Sequence, residues 1–538
     1  MDLDLILDDA LIYDGTGTDG VRGSLGVSGG RIEAIGELGD SRASRVIDCH
    51  GLALAPGFID MHSHSDWVLP QPDHGAVLAP LVEQGITTLV GGNCGCSPAP
   101  LVEKNRRLVP ALGRMLHDHE LDYSWNTTGE YLAALEGRGV ALNLAQLVGH
   151  GTLRAAVKAV DPTPATAEES AAMADLCRAA LDEGAIGLST GLGYSPGVFA
   201  DADELVAVSA PLAERGGVYT SHARSYVSLG ADGQLPSNIA ALDETALVFR
   251  SHGVPVQHSH LIFVGDTSWP TTDRALEHLD ALVDEGVDIA CDAFPYVGGN
   301  TTLVVFMPPW TLPQIPAVLA DPVKRGKVAA SFARAQKLLG MRWDDTQIMW
   351  TPDPEKKHYE GMTIGEIARD RGRDGGVTYL DLVGELGGST RIINWNYSGR
   401  DDEEESLRKV LAYRHTCFET DTILTGDGFD NPASYGTFPR ILGRYVRELG
   451  LLSLPEAIRR MTSLSADRMG LHDRGRIAPG MAADLVVFDP DRVGDQTTRQ
   501  DPDRSPTGIE TVVLNGTPVV AEGRFDRASR AGQILRVR

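Results

Sequence analysis

Apolar and polar residues alternate in short runs at both ends of the chain. Residues 3–7, 23–28, 31–36 and 45–48 carry the period of two that a strand needs, and Gly, Asp and Ser separate them. That pattern predicts antiparallel hairpins. Residues 484–489, 509–516 and 518–525 repeat it. The two ends, 1–55 and 475–538, are therefore expected to form one small β-sandwich, with 56–474 inserted between them. In that middle part the pattern changes. Apolar strand-like runs take turns with helix-like stretches such as 165–183 and 273–285, the mark of a parallel sheet. The strands are predicted to end at His62, Val90, Gly149, Thr190, His222, His260, Asp292 and Asp427. Eight βα units make an α/β fold of the (β/α)8 TIM-barrel type, with its site on the C-terminal face of the strands. A long excursion, about 294–419, separates the last two strands. It holds helix-like pieces at 321–339, 363–371 and 403–413 and four of the seven tryptophans. So long an excursion reads as a lid or a binding wall.

Length and composition narrow the class. A chain of 538 residues exceeds one ordinary domain but suits a large barrel with an appended one. The formal charge of −26 offers no basic stripe, which argues against nucleic acid or an anionic membrane as partner. No apolar run approaches the roughly 18 to 20 residues of a membrane span, and the first residues lack a secretory pattern. A cytoplasmic location is expected. The six cysteines show no framework spacing, so they read as reduced thiols, buried or ligating.

Candidate chemistry gathers at the predicted strand ends. His62 and His64 close an apolar run, and residues i and i+2 of a strand share a face. The second strand delivers Cys94, the fifth His222, the sixth His258 or His260, and the eighth Asp427. A buried cysteine alone is usually a small hydrophobe, and a lone strand-end histidine is usually a core residue. Together, imidazoles, a thiolate and a carboxylate at five of eight strand ends suit Zn2+. Zinc lowers the pKa of its water to about 7, so metal-assisted amide hydrolysis follows, with Asp427 as the carboxylate that carries the proton. His150, at the third strand end, either donates to the oxyanion or packs. Tyr194, just past the fourth strand, is a candidate substrate contact.

Several motifs add a resemblance. Pro56-Gly-Phe-Ile-Asp-Met-His-Ser-His and Gly475-Arg-Ile-Ala-Pro-Gly-Met-Ala-Ala-Asp resemble the amidohydrolase superfamily. Gly92-Asn-Cys-Gly, Val148-Gly-His-Gly-Thr, Leu188-Ser-Thr-Gly-Leu, Asp292-Ala-Phe-Pro-Tyr and Gly436-Thr-Phe-Pro-Arg resemble, within it, the N-acyl-D-amino-acid deacylases, over almost the whole chain. The resemblance implies a zinc-dependent hydrolase of linear amides. One tight zinc would be held by Cys94, His222 and His260, while His62, His64 and Asp427 border a weaker second position. It implies His260 rather than His258. No lysine stands on the fourth strand to bridge two metals.

The substrate end departs from the family. Ala433 stands where the deacylases typically carry an arginine that grips an α-carboxylate, and Leu261-Ile262 replace a basic pattern after His260. An Arg–carboxylate fork is a strong charge-assisted contact, so its loss opens a second reading: a cyclic amide, imide, carbamate or ester. Arg224, Arg440 and Arg400 are the possible replacements, and Arg224 and Tyr296 join Tyr194 as substrate-contact candidates. A non-catalytic binding protein would require lost ligands, and none is lost. The expected partner is a small-molecule amide; a homo-oligomer is compatible with all of this.

Overall fold

The computed structural model describes residues 1–117, 120–230 and 234–536. Among them, eight parallel strands form the central barrel. In chain order they are Phe58–Asp60, Ile86–Gly91, Asn143–Gly149, Gly187–Gly191, Val218–His222, Val256–His258, Ile289–Ala293 and Thr416–Phe418. Each pairs in parallel with the next. The ring closes beyond the strand ends, where Asp421 N donates to His62 O and His64 N donates to Thr422 O. Ile59, Val90, Leu147, Ile186, Val218 and Cys417 fill the interior. Their outward neighbours, such as Phe58, Leu89, Leu188 and Phe418, pack under the helices. Burial on both faces is why these strands read as continuous apolar runs. Helices start where the sequence provides caps. Thr166 and Glu169 form a capping box at the head of Ala167–Asp182.

The two chain ends share a second sheet. Leu485–Phe488 pairs antiparallel with Ala53–Pro56 and so stitches the C-terminal strands to the N-terminal ones. One expected hairpin is absent. Arg42–Asp48 runs parallel to Asp2–Ile12, because the intervening strands Val21–Ser28 and Arg31–Gly36 lie on the other side of the first strand. The last residues leave this sheet, and Ile534–Leu535 pairs with the third barrel strand.

The excursion between strands seven and eight holds a three-stranded antiparallel sheet, Gly299–Thr302, Thr346–Trp350 and Arg391–Asn394. Helices Pro322–Leu339, Ile364–Arg371 and Gly375–Leu386 cover it around a separate core that includes Val318, Phe332, Ile348, Tyr379 and Ile392. Asn300, on that sheet, donates through Nδ2 to Asp421 O at 3.3 Å. The sheet therefore stands on the C-terminal rim of the barrel.

The eighth strand is not where alternation placed it. It is Thr416–Phe418, and residues 421–427 form a rim loop instead. Asp421 has φ of +47°, a left-handed conformation that ends a strand. Ile423 and Leu424 are buried in that loop, which gave it the apolar pattern of a strand. Asp427 consequently lies six residues too far along to reach the barrel mouth. Its side chain is 57% exposed, and its carboxylate pairs with Lys357 Nζ at 2.5 Å.

Candidate metal centre

Five strand ends deliver the donors, and three of them are kinked at the delivering residue. Cys94 follows the second strand with φ of +55°, His260 follows the sixth with +33°, and Asp421 follows the eighth with +47°. Such conformations cost roughly 1–3 kcal/mol each and cluster where a side chain must be aimed. The kink at His260 also settles the choice between the two sixth-strand histidines. His258 is still in the strand and turns outward, its Nδ1 3.1 Å from Thr245 Oγ1 on helix Ser237–His252. His260 turns into the mouth, so the two do not share a face as plain alternation required. His62 and His64 likewise lie beyond the end of their strand, in the loop that closes the barrel.

Cys94 Sγ stands 3.2 Å from His62 Nε2, 3.4 Å from His222 Nδ1 and 3.6 Å from His260 Nε2. His222 Nδ1 and His260 Nε2 are 3.0 Å apart. On the other side of His62, Asp421 Oδ1 lies 3.7 Å from His62 Nε2 and 3.6 Å from His64 Nε2. Ligand atoms of His62, Cys94 and His260 all fall within 4.8 Å of one another, as do those of His62, His64 and Asp421. His62 thus belongs to two overlapping donor sets.

These residues fit a metal. Sulfur and nitrogen bound to one tetrahedral zinc lie roughly 3.5 Å apart, close to the spacings around Cys94. Burial, reinforced by the neighbouring imidazoles of His260, His64 and His222, holds His62 well below the usual histidine range. Burial lowers His222 and His260 as well. All three are then neutral, the form that ligates. The same burial, with Asp421 nearby, pushes the Cys94 thiol up. A cation is what would reverse that preference, since a coordinating thiol is deprotonated. The Nδ1 atoms of His62, His64 and His260 have no hydrogen-bond partner.

Buried acids and tyrosines surround the donors. Asp292 accepts from the His260 amide at 2.6 Å and from Gln257 Nε2 at 2.7 Å, which fixes the sixth-strand kink. Asp60 accepts from Thr420 N and Oγ1 and so ties the eighth-strand exit to the first strand. Glu419 is fully buried just before Asp421, with neither carboxylate oxygen hydrogen-bonded. Tyr226 sets its ring edge-on to His222, at 5.1 Å between centroids, and 5.1 Å from His260. Its hydroxyl accepts from Ala223 N and donates to Ser259 O.

The expected residues sort clearly. The structure brings together His62, His64, Cys94, His222 and His260. It does not bring Asp427, whose place is taken by Asp421. Nor does it bring His150. That imidazole is fully buried, with Nε2 2.8 Å from Glu204 Oε1, and Arg154 Nε sits 3.0 Å from the same oxygen. Tyr194 is adjacent, but its hydroxyl donates to Cys94 O at 2.6 Å and its ring packs 4.8 Å from His222. It braces the Cys94 kink rather than facing outward. Arg224 gives its donors to Glu244, Val198 O and Ala200 O. Tyr296 directs its hydroxyl toward Asp495 and Thr497. Sequence reasoning missed Asp421, Tyr226 and Asn300. The signal for Asp421 was partial, since it stands three residues past the short strand 416–418, with Glu419 nearer.

Comparison with known proteins agrees with this geometry. A profile of the Amidohydrolase family matches residues 45–221 and 411–520. The chain is 38% identical over 534 residues to a D-aminoacylase of Alcaligenes xylosoxydans xylosoxydans, covering 99% of this chain and 97% of that one. It superposes on a crystal structure of D-aminoacylase with a TM-score of 0.82 at 35% identity, covering 99% of this chain and 100% of the other. A similar match, TM-score 0.81 at 34% identity and 100% of both chains, is to an N-acyl-D-glutamate deacylase of Bordetella bronchiseptica. That enzyme was solved with zinc and a phosphonate mimic of the tetrahedral intermediate.

Proposed function

This chain belongs to the Amidohydrolase family, and from that footing we propose that it hydrolyses the amide bond of a small N-acyl compound, as an N-acyl-D-amino-acid deacylase or a close variant. One observation carries the reading. Cys94, His222 and His260 converge within 3.0–3.6 Å, and His62, His64 and Asp421 form an adjoining set. Cys94, His222 and His260 would hold a tight zinc, with a second, weaker position at His62, His64 and Asp421. When bound, zinc lowers the pKa of a coordinated water to about 7 and polarises a carbonyl oxygen.

The chain's own residues do the rest. Asp421 keeps 15% of its side chain exposed, whereas Asp60, Asp292 and Glu419 are sealed. It is the carboxylate in reach of both water and substrate, so it accepts the water's proton and returns it to the leaving nitrogen. Asn300 holds the Asp421 carbonyl, while Asp60 anchors the Thr420 backbone beside it, so the carboxylate keeps its aim. Tyr194 and Tyr226 pack on His222 and hold its ring in place.

The test is to strip the protein of metal, restore zinc, and assay N-acyl-D-amino acids and their carboxamides. Hydrolysis should appear only with metal. Absence of hydrolysis on every member of that panel, with zinc measured in the protein, would overturn the reading.

A further inference from the structure

The rim sheet has two faces, and its residues sort between them. On strand Arg391–Asn394, Ile392 packs in the excursion's own core and Ile393 in the core of the barrel. Successive strand residues point to opposite faces, so Arg391 shares the barrel face with Ile393. The register agrees. Ile393 stands opposite Asn300, whose side-chain amide holds the Asp421 carbonyl, and Arg391 stands opposite Thr302, two residues further along that strand. On this face Arg391 and Thr302 are thus the next cross-strand pair after the one that touches Asp421.

The side chain of Arg391 reaches the same rim loop. Its Nη2 donates at 3.2 Å to the hydroxyl of Thr425, four residues past Asp421. The guanidinium lies over the Trp350 ring, 4.4 Å from its centroid, and Trp350 Nε1 donates to Asp427 Oδ2 at 3.3 Å. Stacking engages the flat face of a guanidinium and fixes its plane. The fork that pairs with a carboxylate lies in that plane.

The reaction calls for a cation in this place. An N-acyl amino acid carries its carboxylate on the carbon that bears the leaving nitrogen. Asp421 returns the proton to that nitrogen, so the amine half lies on the Asp421 side of the mouth, toward the rim sheet. Cys94, His62 and His260 are buried, and a carboxylate brought among such groups loses hydration, a large cost unless a charge answers it. Arg391 is buried to the same degree. The arginines that the sequence offered for this task are directed elsewhere: Arg224 to Glu244, Arg440 to Asp495, and Arg400 to Asp266 and Asp345. We propose that Arg391 is a specificity-determining residue that receives the substrate's α-carboxylate, so that the rim sheet supplies the charge that position 433 lacks. This rests on the amide-hydrolase reading above and names the group that selects its substrate.

The experiment takes the best of the N-acyl-D-amino acids assayed above and its α-carboxamide. It measures kcat/KM for both with zinc-loaded wild type, Arg391→Met and Arg391→Lys, and reads bound zinc in each. Wild type should favour the acid. Arg391→Met should cut turnover of the acid by ~100-fold, with zinc content kept and the carboxamide changed by no more than a few-fold. Arg391→Lys keeps the charge without the fork, so it should retain part of the acid's advantage, and it carries the test alone if the Met variant fails to fold. No preference of wild type for the acid, an undiminished preference in the variants, or acid and carboxamide falling together would each overturn the role of Arg391 and leave the hydrolase reading standing. Zinc-loaded wild type that hydrolyses no member of the panel would bring down both readings together.

Discussion

Two polar groups containing histidine stand at strand exits of this barrel, and they differ in how their charge is balanced. In one, His150 faces Glu204 and Arg154 closes the group from the other side, its two remaining nitrogens donating to Asp161 O and Thr163 O. That cluster holds an anion and a cation of its own. In the other, imidazoles and a thiol face each other at 3.0–3.6 Å, and the backbone is kinked at Cys94, His260 and Asp421. Donors crowd donors there, and only a cation completes the arrangement. What separates them is counter-charge: Glu204 answers both His150 and Arg154, whereas ligand atoms of His62, Cys94 and His260 gather with no cation among them.

The sharpest test of that difference is Cys94→Ala. Bound zinc, read by elemental analysis, and hydrolysis should both fall by orders of magnitude, well beyond the ~10–100-fold that a lost supporting contact costs. Retention of both near wild type would refute the ligand assignment. Next in size is Asp421→Asn, expected to keep the fold and depress kcat by ~10²–10⁴. Asp427→Asn, at an exposed ion pair with Lys357, should stay within a few-fold of wild type. Reversal of that order would return the proton-carrying role to Asp427.

The companion cluster should respond in stability rather than in metal. Glu204→Ala leaves Arg154 buried without its anion, a loss of about 3–5 kcal/mol visible in chemical denaturation. Zinc content per folded molecule should be unchanged, and a drop would mean that His150 belongs to the metal centre after all. The smallest effect is expected from Tyr194→Phe. It removes one hydrogen bond to the Cys94 carbonyl, about 1 kcal/mol, so zinc affinity measured by competition with a chelator should weaken by at most ~10-fold. No change would show that the kink is braced by other contacts, such as Gly95 N donating to Ser189 Oγ.

Much of the fold was legible because barrel strands and helices are local and periodic. Seven of the eight strands lie where apolar runs predicted them, and the histidines and Cys94 sit at strand exits because the sheet's C-terminal face is the open one. The misplacements share one cause. The pattern in 421–427 looks like a strand because Ile423 and Leu424 are buried, yet no ladder forms there. His258 and His260 looked equivalent because period-two reasoning cannot see that His260 itself adopts a left-handed conformation.

Sequence by itself determined the class of architecture and the donor types, since each depends only on which residues occur and in what local rhythm. The tertiary structure alone decided that Asp421 rather than Asp427 meets His62 and His64, that His150 pairs with Glu204, and that Arg224 is already taken. Those outcomes turn on a few kinked residues and on partners tens or hundreds of positions apart, and ångström-scale distances between such groups leave no trace in local pattern.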